Sequence, residues 1–287
     1  QDRSSGIVAR AEMAGLSSTR FRERGQPKSE YGDPDYWASR YEADLEPFDW
    51  YLRWDELKAT LTPLLAPESE ILVLGCGTSG IPEQIAAAGF TNLLCMDRCE
   101  SLVTALRAKQ TALKEAPPAP AKKGGKEATS PVPQVELQYE VADVMDLPAD
   151  WEGRFDVIID KAVLDCVACT SDKWPNCGAM MRGISKALKP KGGVYVCVSH
   201  AAPAMRLPLL VGRLDSEESE QYRWQVTTET LPRPLPAATD AKSKDKNAPP
   251  VANIVPGPTF QAAECVYYIY TCRRAGDTNP EAEAAEN

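Results

Sequence analysis

The chain has one histidine, His200, in 287 residues, and no second cysteine pair accompanies the CxxC of Cys166 and Cys169, so no metal site is expected. It lacks any apolar run near the roughly 20 residues that cross a bilayer, and no apolar signal segment opens it. A soluble protein without a membrane partner is the expectation, and a cytoplasmic one. The Arg- and Ser-containing opening also carries acids, which argues against a transit peptide. An excess of positive charge is missing too. With 32 basic and 41 acidic residues and a formal charge of −9, a broad nucleic-acid-binding face is not expected, and a basic protein partner fits better. Repeats and heptads are absent. The nine cysteines form no regular framework, and several, such as Cys95 and Cys197, lie in apolar runs, as free thiols of a reducing compartment do. What remains is 43% hydrophobic, enough for a sizeable core in one large domain or two small ones.

The most informative stretch is ILVLGCGTSG, Ile71 to Gly80, where four apolar residues end in glycines at 75, 77 and 80. A buried strand, a tight turn and a helix start are the reading. Glycine there permits positive φ and lets a ligand approach the main chain, while the helix start offers unpaired N–H groups. About twenty residues on, NLLCM ends at Asp97, whose carboxylate can accept from both ribose hydroxyls of an adenosine-type ligand. An NAD-binding fold uses nearly the same glycine spacing, so further residues must decide. VELQYEVADVMDL places a second acid at Asp143, and FDVIIDKAVLD ends in Asp160, Lys161 and Asp165.

This order of glycine turn, ribose acid, adenine-side acid and post-strand Asp resembles the class I S-adenosylmethionine-dependent methyltransferases. The segment from Tyr31 to Leu57, with Tyr36, Trp37, Arg40, Tyr41, Phe48, Trp50 and Tyr51, resembles the N-terminal signature of eukaryotic elongation factor 1A lysine methyltransferases, including the domain associated with endothelin-converting enzyme 2. DKAVLD is similar to that family's DKGTLD, and VYVCVSHAAPAMRLPLL, YRWQVTTETLP and CVYYIYTC are similar to its last strands. Coverage runs from about Tyr31 to Arg274. Two departures stand out: Thr78 in CGTS where the family has CGNS, and Ala162 and Val163 in place of Gly and Thr.

The resemblance implies an α/β fold, a Rossmann-like doubly wound seven-stranded sheet with a terminal antiparallel strand. It implies S-adenosyl-L-methionine as cofactor and methylation of a protein lysine, with elongation factor 1A a possible substrate. It places Trp37 and Tyr41 against the cofactor, Gly75 at its methionine end, and Asp97 and Arg98 in its ribose region, with Gly77 also binding the cofactor. Asp143 and Val144 fall at its adenine and Lys161 beyond the fourth strand. Asp160 and Asp165 are the candidate catalytic acids. For the aromatic residues, including Trp50 and Tyr51, core packing is the competing reading. Asp165 could instead cap a helix. His200 reads as a general base or as a hydrogen-bonded rim residue, and Arg206 as a substrate anchor or a loop brace. Methylation of a small amine or thiol, or a silent module within a larger assembly, are the alternative functions.

Along the chain, residues 1–30 read as a disordered arm, 31–274 as the domain and 275–287 as an acidic disordered tail. Apolar spacing predicts a helix from about Asp49 to Leu65 lying across the cofactor edge. Helices at Ile81–Ala88, Ser101–Leu113 and Ala179–Leu188 alternate with strands at Ile71, Leu93–Asp97, Val135–Val141, Phe155–Ile159 and Gly193–Ser199. Arg223–Leu231 and Glu264–Cys272 read as a terminal antiparallel pair. Flexible insertions are expected at about 114–134 and 233–262. Only the second opens at the carboxyl edge of the sheet, where it would help select the substrate.

Overall fold

The computed structural model describes residues 30–115, 137–212, 222, 224–234 and 266–274. The expected tail, nearly all of the arm and almost all of both insertions lie outside the described residues.

Seven strands form one sheet: β1 (Ile71–Leu74), β2 (Leu93–Asp97), β3 (Gln138–Val141), β4 (Val157–Lys161), β5 (Val194–Ser199), β6 (Trp224–Pro232) and β7 (Val266–Arg274). Their order is β3-β2-β1-β4-β5-β7-β6. The first five pair in parallel, and β7 runs antiparallel to both β5 and β6. The doubly wound, seven-stranded expectation is therefore met, with β7 as the reversed strand.

Strands covered on both faces read as unbroken apolar runs, because no side chain can turn to water. All four residues of β1 and all six of β5 are buried. Successive side chains alternate between two cores. Leu72 and Leu74 join Trp151, Tyr195 and the helix residues Met180, Met181 and Ile184 on one face. Ile71 and Val73 join Ile85, Val103, Leu57 and Leu61 on the other. The first face is covered by α6 (Lys173–Ala187) and α7 (Pro203–Val211), the second by α2 (Trp54–Leu61), α3 (Ile81–Ala87) and α4 (Glu100–Glu115). Winding reverses between β1 and β4, and that reversal opens a crevice beyond the carboxyl ends of the strands.

Three local differences from the sequence expectation have physical causes. The single helix over Asp49–Leu65 is a shorter α2 followed by a 3-10 turn, Thr62–Leu64, with Pro63 at the break. Residues 49–53 are drawn out of the helix: Asp49 and Trp50 bond Lys161, Tyr51 adopts φ 66°, and Glu56 Oε2 accepts from Arg53 N at 2.8 Å. A helix the periodicity did not mark, α1 (Pro34–Ala43), starts at Asp33, whose side chain accepts from Asp35 N, with Pro34 in the first turn. A further short helix, α5 (Val163–Val167), follows β4 directly.

Candidate active site

The crevice holds a cavity of about 1220 Å³, counting its open mouth. One wall is the turn after β1. Gly75 and Gly77 have φ of 46° and 53°, in the left-handed region. A Cβ on Gly75 would lie 2.6 Å from Val163 Cγ2, and one on Gly77 would lie 2.9 Å from the Tyr41 hydroxyl. A side chain is strained by φ at both positions and at Gly75 would also press on Val163, and both glycines line the cavity.

Asp97 ends β2 against this turn and is 6% exposed. Its Oδ2 accepts from Gly77 N at 3.1 Å and its Oδ1 from Cys99 N at 3.0 Å. Burial pushes its carboxyl above the usual range, against the opposing pull of these amides and of Arg98. Each carboxylate oxygen keeps further acceptor capacity for a ligand. Arg98 lines the cavity and pairs with Asp143 Oδ2 at 3.4 Å. Asp143 does not line it; its Oδ1 accepts from Met145 N at 2.9 Å, shaping the turn that brings Val144 and Met145 to the wall.

The opposite wall is aromatic and comes from the N-terminal segment. Trp37 and Tyr41, four residues apart on α1, stack with centroids 6.0 Å apart. Trp37 Nε1 donates to Tyr31 O at 2.9 Å, and Trp50 packs edge-on against both Tyr31 and Trp37. Phe48 N donates to Thr78 O at 3.2 Å, and Asp49 accepts from the Ser79 hydroxyl, so this segment is stitched to the glycine turn. On the sheet side, Lys161 Nζ donates to Trp50 O at 2.9 Å and pairs with Asp49 Oδ1 at 3.1 Å. Burial lowers the Lys161 ammonium's pKa, with Asp49 opposing. Lys161 thus ties the aromatic wall to the end of β4.

The structure brings Trp37, Tyr41, Gly75, Gly77, Asp97, Arg98, Val144 and Lys161 to one cavity. Asp160 and Asp165 do not line it. Asp160 is fully buried; its carboxylate accepts from Val163 N at 2.7 Å, Leu164 N at 3.1 Å and the Tyr195 hydroxyl at 2.7 Å. It holds the start of α5, and burial, the leading cause, raises its pKa to about 6, with Tyr195 opposing. Asp165, 6% exposed, forms a second cluster at the carboxyl ends of β4 and β5. It pairs with buried Arg206, accepts from the Ser199 hydroxyl at 2.7 Å and from the Tyr51 hydroxyl at 2.9 Å, and lies 3.2 Å from His200 Nδ1. Burial would raise its carboxyl, but His200, Arg206 and Ser199 outweigh burial and hold it below the usual range. Arg206 is therefore a brace for Asp165.

Tyr31, Cys166 and Thr170 also line the cavity, and no local pattern in the sequence marks them. The same holds for Asp49 as partner of Lys161 and Ser199 as partner of Asp165, since these contacts join residues more than a hundred and more than thirty positions apart. The helix carrying Trp37 and Tyr41 did have a local signal, the Asp33-Pro34 start. Among the described residues no His, Cys, Asp and Glu cluster suits a metal ion, and no helix is long and apolar enough to cross a membrane.

No family model matches the chain. It is 29% identical over 190 residues to EEF1A lysine methyltransferase 4 of Mus musculus, a match covering 62% of this chain and 65% of that protein. It is 26% identical over 196 residues to the eEF1A lysine and N-terminal methyltransferase of Homo sapiens, covering 67% of this chain and 25% of that protein. The matched region thus spans less than two thirds of these relatives' length. Among solved structures, the magnesium protoporphyrin IX methyltransferase of Synechocystis aligns at 12% identity and TM-score 0.43 over 86% of this chain and 95% of that one. That likeness is too distant to bear on function. Over about two thirds of its length, the chain resembles lysine methyltransferases named for eEF1A.

Proposed function

We propose that the chain is an S-adenosylmethionine-dependent methyltransferase acting on a lysine side chain of a protein. The observation that carries this reading is the pairing of Asp97 with the Gly75–Gly77 turn inside a cavity walled by Trp37, Tyr41 and Trp50. The cradle fits the group. Gly75 and Gly77 leave room for the methionine end, Asp97 offers oxygens to the ribose, and Met96, Val144 and Met145 offer apolar surface for adenine. When bound, the cofactor supplies an electrophilic methyl: its C–S bond breaks as the N–C bond forms, and the electron pair returns to sulfur.

The residues of the chain align the reactants and exclude water. Trp37, Trp50 and Tyr31 cover the cavity, and Lys161 and Asp49 hold that cover against the sheet. A lysine must arrive as a neutral amine, and the aromatic wall of Trp37, Tyr41 and Trp50 offers it desolvating surface. The net charge of −9 suits a basic acceptor protein, and the names of the relatives make elongation factor 1A the first candidate.

Calorimetry with S-adenosylmethionine and its demethylated product tests the cofactor reading. Asp97→Ala is expected to weaken both by about 100-fold or more, since charge-assisted bonds of about 1.5–3 kcal/mol each are lost. Folded wild type that binds neither compound would overturn the proposal. Methyl label entering only the low-mass fraction of an extract would redirect it to a small-molecule acceptor.

A further inference from the structure

His200 is the first residue beyond β5, at the carboxyl edge of the sheet, and its side chain is 54% exposed. Tyr51 follows Trp50, and Asp165 precedes Cys166; both neighbours line the cavity. Three atoms close a triangle there. The Tyr51 hydroxyl lies 2.9 Å from His200 Nδ1 and 2.9 Å from Asp165 Oδ2, and Nδ1 lies 3.2 Å from the same Oδ2.

Counting hydrogens fixes which atom donates. Asp165 is ionised, held so by His200, Arg206 and Ser199 despite its burial, and a carboxylate only accepts. Tyr51 keeps its single hydrogen, because burial and then Asp165 raise its pKa. Were Nδ1 bare, that hydrogen would have to point at the ring, and Oδ2 would face two lone pairs with nothing between. With a hydrogen on Nδ1, Tyr51 donates to Asp165, and Nδ1 donates to the phenol oxygen and the carboxylate. Every contact is then attractive. The other ring nitrogen, Nε2, has no protein partner among the described residues.

The fold maintains this triangle at a cost. Tyr51 is a non-glycine residue at φ 66°, a conformation L side chains rarely adopt, and its ring is pinned on Tyr267 at 4.7 Å with Arg233 over the far ring. Behind Asp165 stand buried Arg206 and Ser199. The groups facing the ring are therefore Tyr51 from the segment before α2 and Asp165 from α5. Arg206 of α7 stands behind Asp165, and Tyr267 of β7 behind Tyr51.

We propose that His200 is the catalytic base that takes a proton from the incoming lysine through Nε2, with Asp165 and Tyr51 as positioning residues for its ring. This rests on the methyltransferase reading. An N–H bond of the ammonium breaks and an Nε2–H bond forms, leaving a neutral amine with its lone pair and an imidazolium whose charge Asp165 balances. The amine lone pair then takes the methyl, giving a methylated ammonium, and exposed His200 returns its proton to water. The arrangement has the logic of a histidine oriented by a buried carboxylate.

Because the chain has one histidine, tag-free protein labelled with ¹⁵N-histidine gives a single imidazole whose nitrogen shifts report the tautomer directly. The Nδ1–H form is expected in wild type, lost in Asp165→Asn. His200→Gln is expected to bind S-adenosylmethionine within about twofold of wild type by calorimetry. Its initial rate of methyl incorporation into the protein fraction of an extract should fall about 100-fold or more at pH 7. That deficit should shrink toward pH 10, where the acceptor lysine loses its proton unaided. An Nε2–H tautomer, or a His200→Gln rate within about twofold of wild type across this range, would overturn the inference while leaving the proposed function standing. Folded wild type that binds no S-adenosylmethionine would overturn both, and only that outcome removes cofactor binding from wild type.

Discussion

The two halves of the crevice are built by different means. On the β1–β2 side, backbone does the work: a glycine turn presents amides and one strand-end carboxylate, Asp97, bonds N–H groups within twenty residues of itself. On the β4–β5–β7 side, side chains do it: Asp165 gathers Tyr51, Ser199, His200 and Arg206 from across as many as 114 positions. Backbone geometry is enforced by the local chain and tolerates few substitutions. A buried side-chain cluster is enforced only by mutual satisfaction, so losing one member exposes the desolvation cost of the rest.

That contrast is sharpest at Arg206. Arg206→Met leaves the Asp165 carboxylate buried without its main counter-charge and is expected to cost about 3–5 kcal/mol in urea denaturation. The β1–β2 side should be untouched, so the variant that remains folded should bind S-adenosylmethionine within about threefold of wild type. A loss under about 1 kcal/mol, or a collapse of cofactor affinity, would break the distinction between the halves.

Asp160 lies at the seam, buried in β4 between them. Its pKa is raised from the ordinary 3.8 to about 6, chiefly by burial and further by Asp165, with Tyr195 and the α5 amides opposing. The folded state thus holds this proton more tightly than the unfolded chain does. Its contribution is fully present below pH 3.8 and is lost as pH rises through 6, a change of about 3 kcal/mol at 1.36 kcal/mol per pH unit. Asp160→Asn, which keeps an acceptor for Val163 N, lacks that slope. Denaturation from pH 4 to 7 should therefore show the variant gaining on wild type as pH rises. Parallel stability curves would mean that Asp160 titrates alike folded and unfolded.

The smallest effect is expected at Ala162, which enters α5 at φ 77°. Ala162→Gly relieves a left-handed conformation but loosens the unfolded chain, so a gain of up to about 1 kcal/mol is expected in the denaturation midpoint. A loss there would mean that the packing of the Ala162 methyl outweighs the backbone term.

Legibility followed the same division. The all-buried runs of β1, β2 and β5, the alternation of strands with helices and the glycine turn were readable because each is dictated by residues a few positions apart. So was the topology, since doubly wound sheets reverse only in a few ways. The helix expected over Asp49–Leu65 failed because Lys161 and Asp165, more than a hundred residues away, outbid local periodicity for Asp49, Trp50 and Tyr51. Asp160 and Asp165 looked alike as post-strand acids. Only packing separated them, turning one into the buried cap of α5 and the other into the partner of Arg206.

The sequence by itself determined the sheet, its winding and the glycine turn with Asp97, because backbone conformation and apolar periodicity are short-range properties. The tertiary structure decided which side chains gather around His200, which carboxylate burial raises and which one its partners hold down, and what covers the cavity. Those depend on burial and on partners brought together through space, which no local run of residues can express.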